Sequence, residues 1–223
     1  MTRTLLQIGE DRLIVNNYNN DFLLIQSEDK STLSKIGTAI FQQNFDFIEE
    51  VIVTQVEICL KLNALFDNSK FAQLQSIQQI STTQHTVHKL PVYFKDTADW
   101  KNVEATTGFS KEVVINKLLQ MDFTVAMFAF LPGFVYLNGL EESLHVPRKK
   151  VPAKYVAANS LAIGGKYLGI YSLPSPGGWH VIGEFPIPVL QLRKLPPVTL
   201  NLGDTLQLYR IKKERFNELV TVK

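Results

Sequence analysis

"SLPSPGGWHVIGEFP" runs from Ser172 to Pro186, with prolines at 174, 176 and 186 and glycines at 177, 178 and 183 around Trp179 and His180. Proline fixes φ and lacks a backbone donor, and glycine holds a shape only between stiff neighbours. The stretch therefore reads as a loop, neither helix interior nor central strand. The runs around it are apolar and strand-like: "TVAMFAF", "SLAIGG", "LGIYSL", "WHVIGEF", "PVLQL", "VTLNL" and "TLQLYRI" follow one another after Met121. Many short strands with turn signals between them predict a β-barrel or sandwich.

Upstream the pattern differs. "RTLLQIG" and "RLIVNN" read as two short strands around Gly9-Glu10. Ser31 is placed to cap a helix with Leu33, Ile36, Ile40 and Phe41 on one face. "EVIVTQVEICLKL" reads as one half-buried strand, with Ile52, Val56, Ile58 and Leu60 inward, and Cys59 as a buried thiol. Ser69 starts a second helix with Phe71, Leu74 and Ile77 inward, and "TQHTVHKLPVYF" follows as a strand weakened by Pro91. This alternation suits a two-layer α+β sandwich over residues 1–90. Residues 91–223 then form the β-rich domain, led by a helix ending at Gly108 and another starting at Ser110. The boundary is expected near residues 88–95.

Composition excludes several classes. A net charge of +2 over 223 residues gives no footprint for nucleic acid or an anionic membrane. A single cysteine excludes an internal disulfide. The longest apolar run, Thr124 to Leu137, is broken by Pro132-Gly133 and is too short to span a bilayer. Charge appears early in "MTRTLLQIGEDRL", against a secretory signal, so the expected location is cytoplasmic.

No Walker loop, dinucleotide fingerprint, G-x-S-x-G elbow or zinc-type histidine pattern is present. His85 and His88 read as surface residues, and no metal is expected. Gly164-Gly165 and Gly177-Gly178 are places where a backbone approaches a ligand closely, or else tight barrel turns. Ser175, between two prolines, has no base placed to activate it.

The order "FLPGFVYLNGL", "VPRKKVPA", "SLAIGG", "LGIY" and "SPGGWHVIGEFP" resembles the 5-oxoprolinase B-subunit family. That family is also described as allophanate hydrolase subunit 1 or carboxyltransferase domain subdomain C/D, and it includes a sporulation-kinase inhibitor. "PVYF", "FSKEVVINK" and the looser "GEDRLIVNN" extend the resemblance over nearly the whole chain. It implies a ferredoxin-like N-terminal sandwich followed by a cyclophilin-like β-barrel. It implies one component of an ATP-dependent amide (lactam) hydrolase, inactive alone, that helps activate 5-oxoproline for hydrolysis to glutamate with the C and A subunits of 5-oxoprolinase. ATP with magnesium is the implied cofactor, bound in the complex with the C subunit. Two alternatives stand beside this: a non-catalytic module that inhibits a sensor histidine kinase, and a hydrolase component for allophanate or another urea-type amide.

The resemblance also nominates a ligand site. Arg148, in the family's "PR" position, is expected to bind an anion, and Trp179, Phe134, Tyr136 and Tyr171 to line a pocket. Pro132, Gly133, Gly164, Gly165, Gly177 and Gly178 are expected to shape it, with Ser175 and His180 as its polar groups. Leu118 stands where the family often has a histidine, and Ala153 and Tyr155 where it has basic residues.

Overall fold

The computed structural model describes residues 2–19, 21–54, 56–77, 85–192 and 197–221. The chain divides into two compact units, Met1–Gln84 and His85–Lys223.

The first unit has three strands, β1 (Thr2–Ile8), β2 (Asp11–Tyr18) and β3 (Phe22–Ser27), then helix α1 (Lys30–Gln43). Strands β4 (Ile48–Val53) and β5 (Ile58–Leu62) and helix α2 (Asn68–Gln75) complete it. The sheet order is β1-β2-β3-β5-β4, antiparallel throughout. Alternate residues Leu6, Ile8, Leu13, Val15, Leu23 and Ile25 are buried, and Leu33, Ile36 and Ile40 of α1 meet them. Each such side chain contributes roughly 1.5–3 kcal/mol on leaving water.

Several sequence expectations change here. The single strand expected over "EVIVTQVEICLKL" is a hairpin. Thr54 Oγ1 accepts the backbone N–H groups of Val56 and Glu57 and donates to the Glu57 carbonyl, turning the chain between β4 and β5. The turn breaks the alternation, so Ile58 and Leu60 are buried while Ile52 and Val56 are exposed. Cys59 lies opposite Leu24 and Ile52 on the half-covered outer face, not in the core. Burial first, then Glu57 and Glu50, push its thiol above the ordinary range. Phe41 is 71% exposed, because it sits a quarter turn past Ile40 on α1. Ser31 lies inside α1, and Asp67 rather than Ser69 caps α2, accepting the Lys70 N–H at 3.0 Å.

The second unit begins with β6 (Val87–Val92), α3 (Trp100–Thr107) and α4 (Lys111–Leu119). Gly108, at φ 73°, stops α3. Ser110 sits at the head of α4 but makes no side-chain cap; Glu104 accepts the Lys111 N–H instead, at 2.7 Å. Strands β7 (Asp122–Phe128), β8 (Val135–Asn138), β9 (Ala153–Val156), β10 (Ser160–Gly164) and β11 (Tyr167–Ile170) follow. Then come β12 (Ser175–Gly177), β13 (His180–Glu184), β14 (Thr205–Arg210) and α5 (Lys213–Thr221).

Seven strands form one sheet in the order β13-β10-β11-β8-β7-β14-β6, and β12 and β9 make a separate ribbon. The sheet curls until its edges meet: just past β6, Tyr93 and the end of β13 exchange two bonds, Tyr93 N to Glu184 O at 3.0 Å and Glu184 N to Tyr93 O at 2.9 Å. Pro91 is tolerated because β6 is an edge strand, parallel to β14 alone. Trp100, Val103, Val114, Ile115 and Leu118 of the two helices join the core with Phe123, Leu137, Leu161, Ile163 and Ile182.

The expected strands "PVLQL" and "VTLNL" do not form; only Leu190 and Val198 pair, as a single bridge. The loop-forming stretch from Ser172 is less irregular than its composition implies, because β12 and β13 both lie within it. Among the described residues, no helix is long and apolar enough to cross a bilayer.

His88 is not a free surface residue. Its Nε2 lies 2.9 Å from Oδ2 of Asp204, which is 1% exposed and also accepts the N–H groups of Thr86 (2.9 Å) and Asn201 (2.8 Å). Burial alone would raise the Asp204 pKa, but these donors outweigh it and hold the carboxyl below the ordinary carboxylate value. A depressed folded pKa contributes stability that is complete above the unfolded value, about 3.9, and is lost as pH falls through the folded one. Denaturant titrations at several pH values should therefore show that Asp204→Asn costs about 1–3 kcal/mol at neutral pH and less below about pH 4. A cost independent of pH would contradict this account.

Candidate functional site: an aromatic cleft rimmed by cations

The site is built on bare backbone. An alanine Cβ at Gly164, at the end of β10, would lie 2.3 Å from Trp179 Cδ2, and one at Gly169, on β11, 2.5 Å from Cζ3. The indole thus lies flat on two adjacent strands where any side chain would lift it. Phe134 and Tyr136 meet it edge-on at 5.6 and 5.3 Å between ring centroids, and Tyr171 packs against Phe134 at 4.9 Å. Offset and edge-to-face contacts of this kind are the favoured aromatic geometry.

Tyr171 is 1% exposed. The Trp179 backbone N–H bonds to its hydroxyl, and a Cβ on Gly177 would lie 2.2 Å from that oxygen. Burial raises the pKa of Tyr171 and of Tyr136, with Arg148 opposing in each case. Both phenols therefore stay neutral and keep a proton to donate.

The Arg148 guanidinium stands over this platform, its Cζ 5.7 Å from the Trp179 ring. Segment 147–149 is held on both sides by the stretch from Ser172 to Pro186. The Pro147 carbonyl lies 3.0 Å from His180 Nε2, and the Lys149 N–H donates to the Gly178 carbonyl at 2.7 Å. Lys149 Nζ reaches Asp99 Oδ2 at 2.7 Å, and the same oxygen accepts the Val181 N–H at 2.8 Å. Gly178, His180 and Asp99 thus hold the backbone on either side of an exposed arginine beside a wall of rings. The local cost of such a loop is offset by a preorganised surface.

Two depressions meet at Arg148 and Lys149. One, of about 330 Å3, is the aromatic cleft, lined by Phe134, Tyr136, Tyr171, Trp179, Gly177 and Gly178. The other, of about 560 Å3, is polar, with Asp99, Asn102, Thr106, Lys150 and His180 in its walls. Among the described residues, neither Arg148 nor Lys150 has an acidic partner. Asp99 is already occupied by Lys149 and the Val181 N–H, so the polar hollow favours an anion.

The other expected site residues take several different places. The Pro132 carbonyl accepts Ser172 Oγ at 2.6 Å, and a Cβ on Gly133 would face Leu190 and Val198. These two shape a turn and do not line the cleft. Gly164 lies beneath the Trp179 indole, and Gly165, at φ 64°, makes a turn whose N–H donates to Val146 O. Ser175 is buried with its Oγ unpartnered, so no described residue activates it as a nucleophile. His180 is 4% exposed and lines the polar hollow, with Nδ1 unpartnered. Leu118 is fully buried in the α4 core, and Tyr155 is exposed on β9. No group of three histidine, cysteine, aspartate or glutamate side chains that could hold a metal occurs among the described residues. Sequence reasoning missed Asp99, which lies outside any motif, and Phe130, which opens the "FLPGFVYLNGL" motif but has no polar group to single it out.

The chain belongs to the carboxyltransferase domain family, subdomains C and D, whose sequence pattern matches residues 4–200. Within that family it is similar to curated proteins named as the B subunit of 5-oxoprolinase, 32–36% identical. The Haemophilus influenzae protein is 34% identical over 143 residues, 62% of this chain and 66% of that one. The matched stretches span about half to two thirds of the length of these relatives. Among solved structures, TTHA0988 is similar with a TM-score of 0.76 at 24% identity, over 86% of this chain and 40% of that one. The K. lactis urea amidolyase has a similar fold, with a TM-score of 0.70 at 14% identity over 98% of this chain and 16% of that one.

Proposed function

We propose that the chain is the B subunit of an ATP-dependent 5-oxoprolinase and acts as the part that holds the lactam. One observation carries this reading: a preorganised cleft offers flat aromatic walls, the Tyr136 phenol and the Arg148 guanidinium, which has no acidic partner among the described residues. 5-Oxoproline has a planar amide within a small ring and a carboxylate, and each feature has a counterpart there. The name shared by the curated relatives supports the same substrate. On this reading the first unit is a rearranged ferredoxin-like sandwich, in which β2 takes the place of the strand that would follow α2. The second unit is a cyclophilin-like barrel, closed by the Tyr93–Glu184 pair.

An unstrained amide resists hydrolysis, and ATP supplies a phosphoryl group that turns the amide oxygen into part of a leaving group. The chain's own residues orient the ring, neutralise the carboxylate and exclude water from the aromatic side. The hollow beside Arg148 offers cations for phosphate oxygens. Its one described carboxylate, Asp99, is already bonded, so the lining does not fit a magnesium ion. We place the metal-bound nucleotide on the C subunit or at the joint with it, and ring opening on the A subunit, in a cytoplasmic hetero-oligomer.

The test is reconstitution. The purified chain alone should show no ATP-dependent conversion of 5-oxoproline to glutamate, and adding its cognate C and A subunits should establish it. Turnover by the isolated chain would contradict the divided site. Absence of turnover with all three present would favour the kinase-inhibiting module. Turnover of allophanate instead would keep the chemistry and change the substrate, a reading favoured by the fold shared with urea amidolyase.

A further inference from the structure

Phe130 has a backbone conformation that its side chain disfavours. Its φ is +70°, in the left-handed region where a bulky residue is an outlier. The Leu131 N–H donates to the Ala129 carbonyl at 2.9 Å, closing a three-residue turn centred on Phe130, of the strained hand. The turn is fixed from outside: the Phe134 N–H donates to Leu131 O at 3.0 Å, and Ser172 Oγ to Pro132 O at 2.6 Å. Strain of this kind persists only where the surroundings over-determine it, and it clusters at ligand clamps.

The strain achieves little burial. Phe130 stays 59% exposed, touching Phe134 and Tyr171 only edge-on, at 5.4 and 6.3 Å between centroids. Its ring lines the aromatic cleft, whose lining also includes Arg148 over Trp179. The cleft lining carries the Arg148 and Lys149 side chains and no carboxylate, so its charge disfavours a cationic ligand. Its volume, about 330 Å3, is at the small end for ligand pockets and suits one small ring.

We infer that Phe130 is a specificity-determining residue, held in a strained turn to form the outer wall of the cleft and to select a flat, uncharged amide ring carrying a carboxylate. This rests on the lactam-holding reading above and adds the residue that discriminates among ligands. The ring face of Phe130 covers the flat amide, Arg148 takes the carboxylate, and a cationic ring nitrogen is rejected. Glycine at position 130 would relieve the backbone and remove the wall, so stability and binding should part company.

Calorimetric titration of the full chain tests this with three probes: 5-oxoproline, 2-pyrrolidinone, which lacks the carboxylate, and proline, whose ring nitrogen is charged. The wild type should bind 5-oxoproline about tenfold or more tightly than either of the others. Phe130→Gly should weaken 5-oxoproline about tenfold or more while its Tm stays within about 2 °C of wild type or rises. Phe130→Tyr should retain binding. A Tm loss beyond about 5 °C in Phe130→Gly would make the ring ordinary packing and overturn the inference. Unchanged affinity in that variant would overturn it too. If the wild type binds none of the probes while the assembled subunits still open the lactam, the inference fails and the proposed function stands.

Discussion

Arg148→Ala is expected to melt like the wild type and to lose between about tenfold and a hundredfold in affinity for a carboxylate ligand. The two halves of this result have separate causes. The guanidinium is exposed, has no acidic partner among the described residues, and touches the fold mainly through the Trp179 ring at 5.7 Å. An exposed cation–π contact contributes about 0.5–1 kcal/mol. A charge-assisted hydrogen bond to a ligand contributes roughly 1.5–3 kcal/mol, which is the source of the expected affinity loss. Binding therefore suffers more than folding. Arg148→Lys separates charge from shape: the ammonium keeps the charge and loses the flat fork that both stacks on indole and grips a carboxylate. It should fall between the two, and the comparison is read by calorimetry beside a thermal melt. An Arg148→Ala protein that binds and turns over normally in the assembled complex would make the arginine a solvated bystander.

Much of the second unit was legible because its signals are local. Proline and glycine punctuate apolar runs, and "TVAMFAF", "SLAIGG", "LGIYSL" and "TLQLYRI" overlap the strands at 122–128, 160–164, 167–170 and 205–210. Errors arose where a particular bond, local or distant, overrides the pattern of apolar and polar residues. The residues from Glu50 to Leu62 alternate well enough to read as one strand, and only the Thr54 side chain, bonding within its own turn, divides it. His88 carries no sign in its neighbours that a buried carboxylate lies 116 residues away. The candidate site was legible in its residue types and not in its geometry. Arg148 and Trp179 are far apart in sequence, and what brings them together is backbone bonding between segment 147–149 and residues 178–180. Such bonds depend on main-chain atoms that every residue has. Phe130 is a similar case, since its positive φ reflects the bonds that hold residues 129–134 rather than any preference of phenylalanine.

The other large effect concerns the indole and its seat. Trp179 is 5% exposed, so Trp179→Ala should cost roughly 3–5 kcal/mol through lost transfer energy and an open cavity. Gly164→Ala should also destabilise, by about 1–3 kcal/mol, since its new methyl would lie 2.3 Å from the indole and the ring must lift. The informative protein is the double variant. If Gly164 is glycine because Trp179 lies on it, removing the indole removes the clash, and the added methyl then fills part of the cavity. Trp179→Ala with Gly164→Ala should therefore be no less stable than Trp179→Ala alone, a departure from additivity of about 1–3 kcal/mol. Additive costs would mean that Gly164 is required by the backbone of β10 itself, whatever stands above it. Gly164 lies outside the left-handed region, so the strand can accept a side chain there, and non-additivity is the expected result. Chemical denaturation of the four proteins under one condition decides between the two.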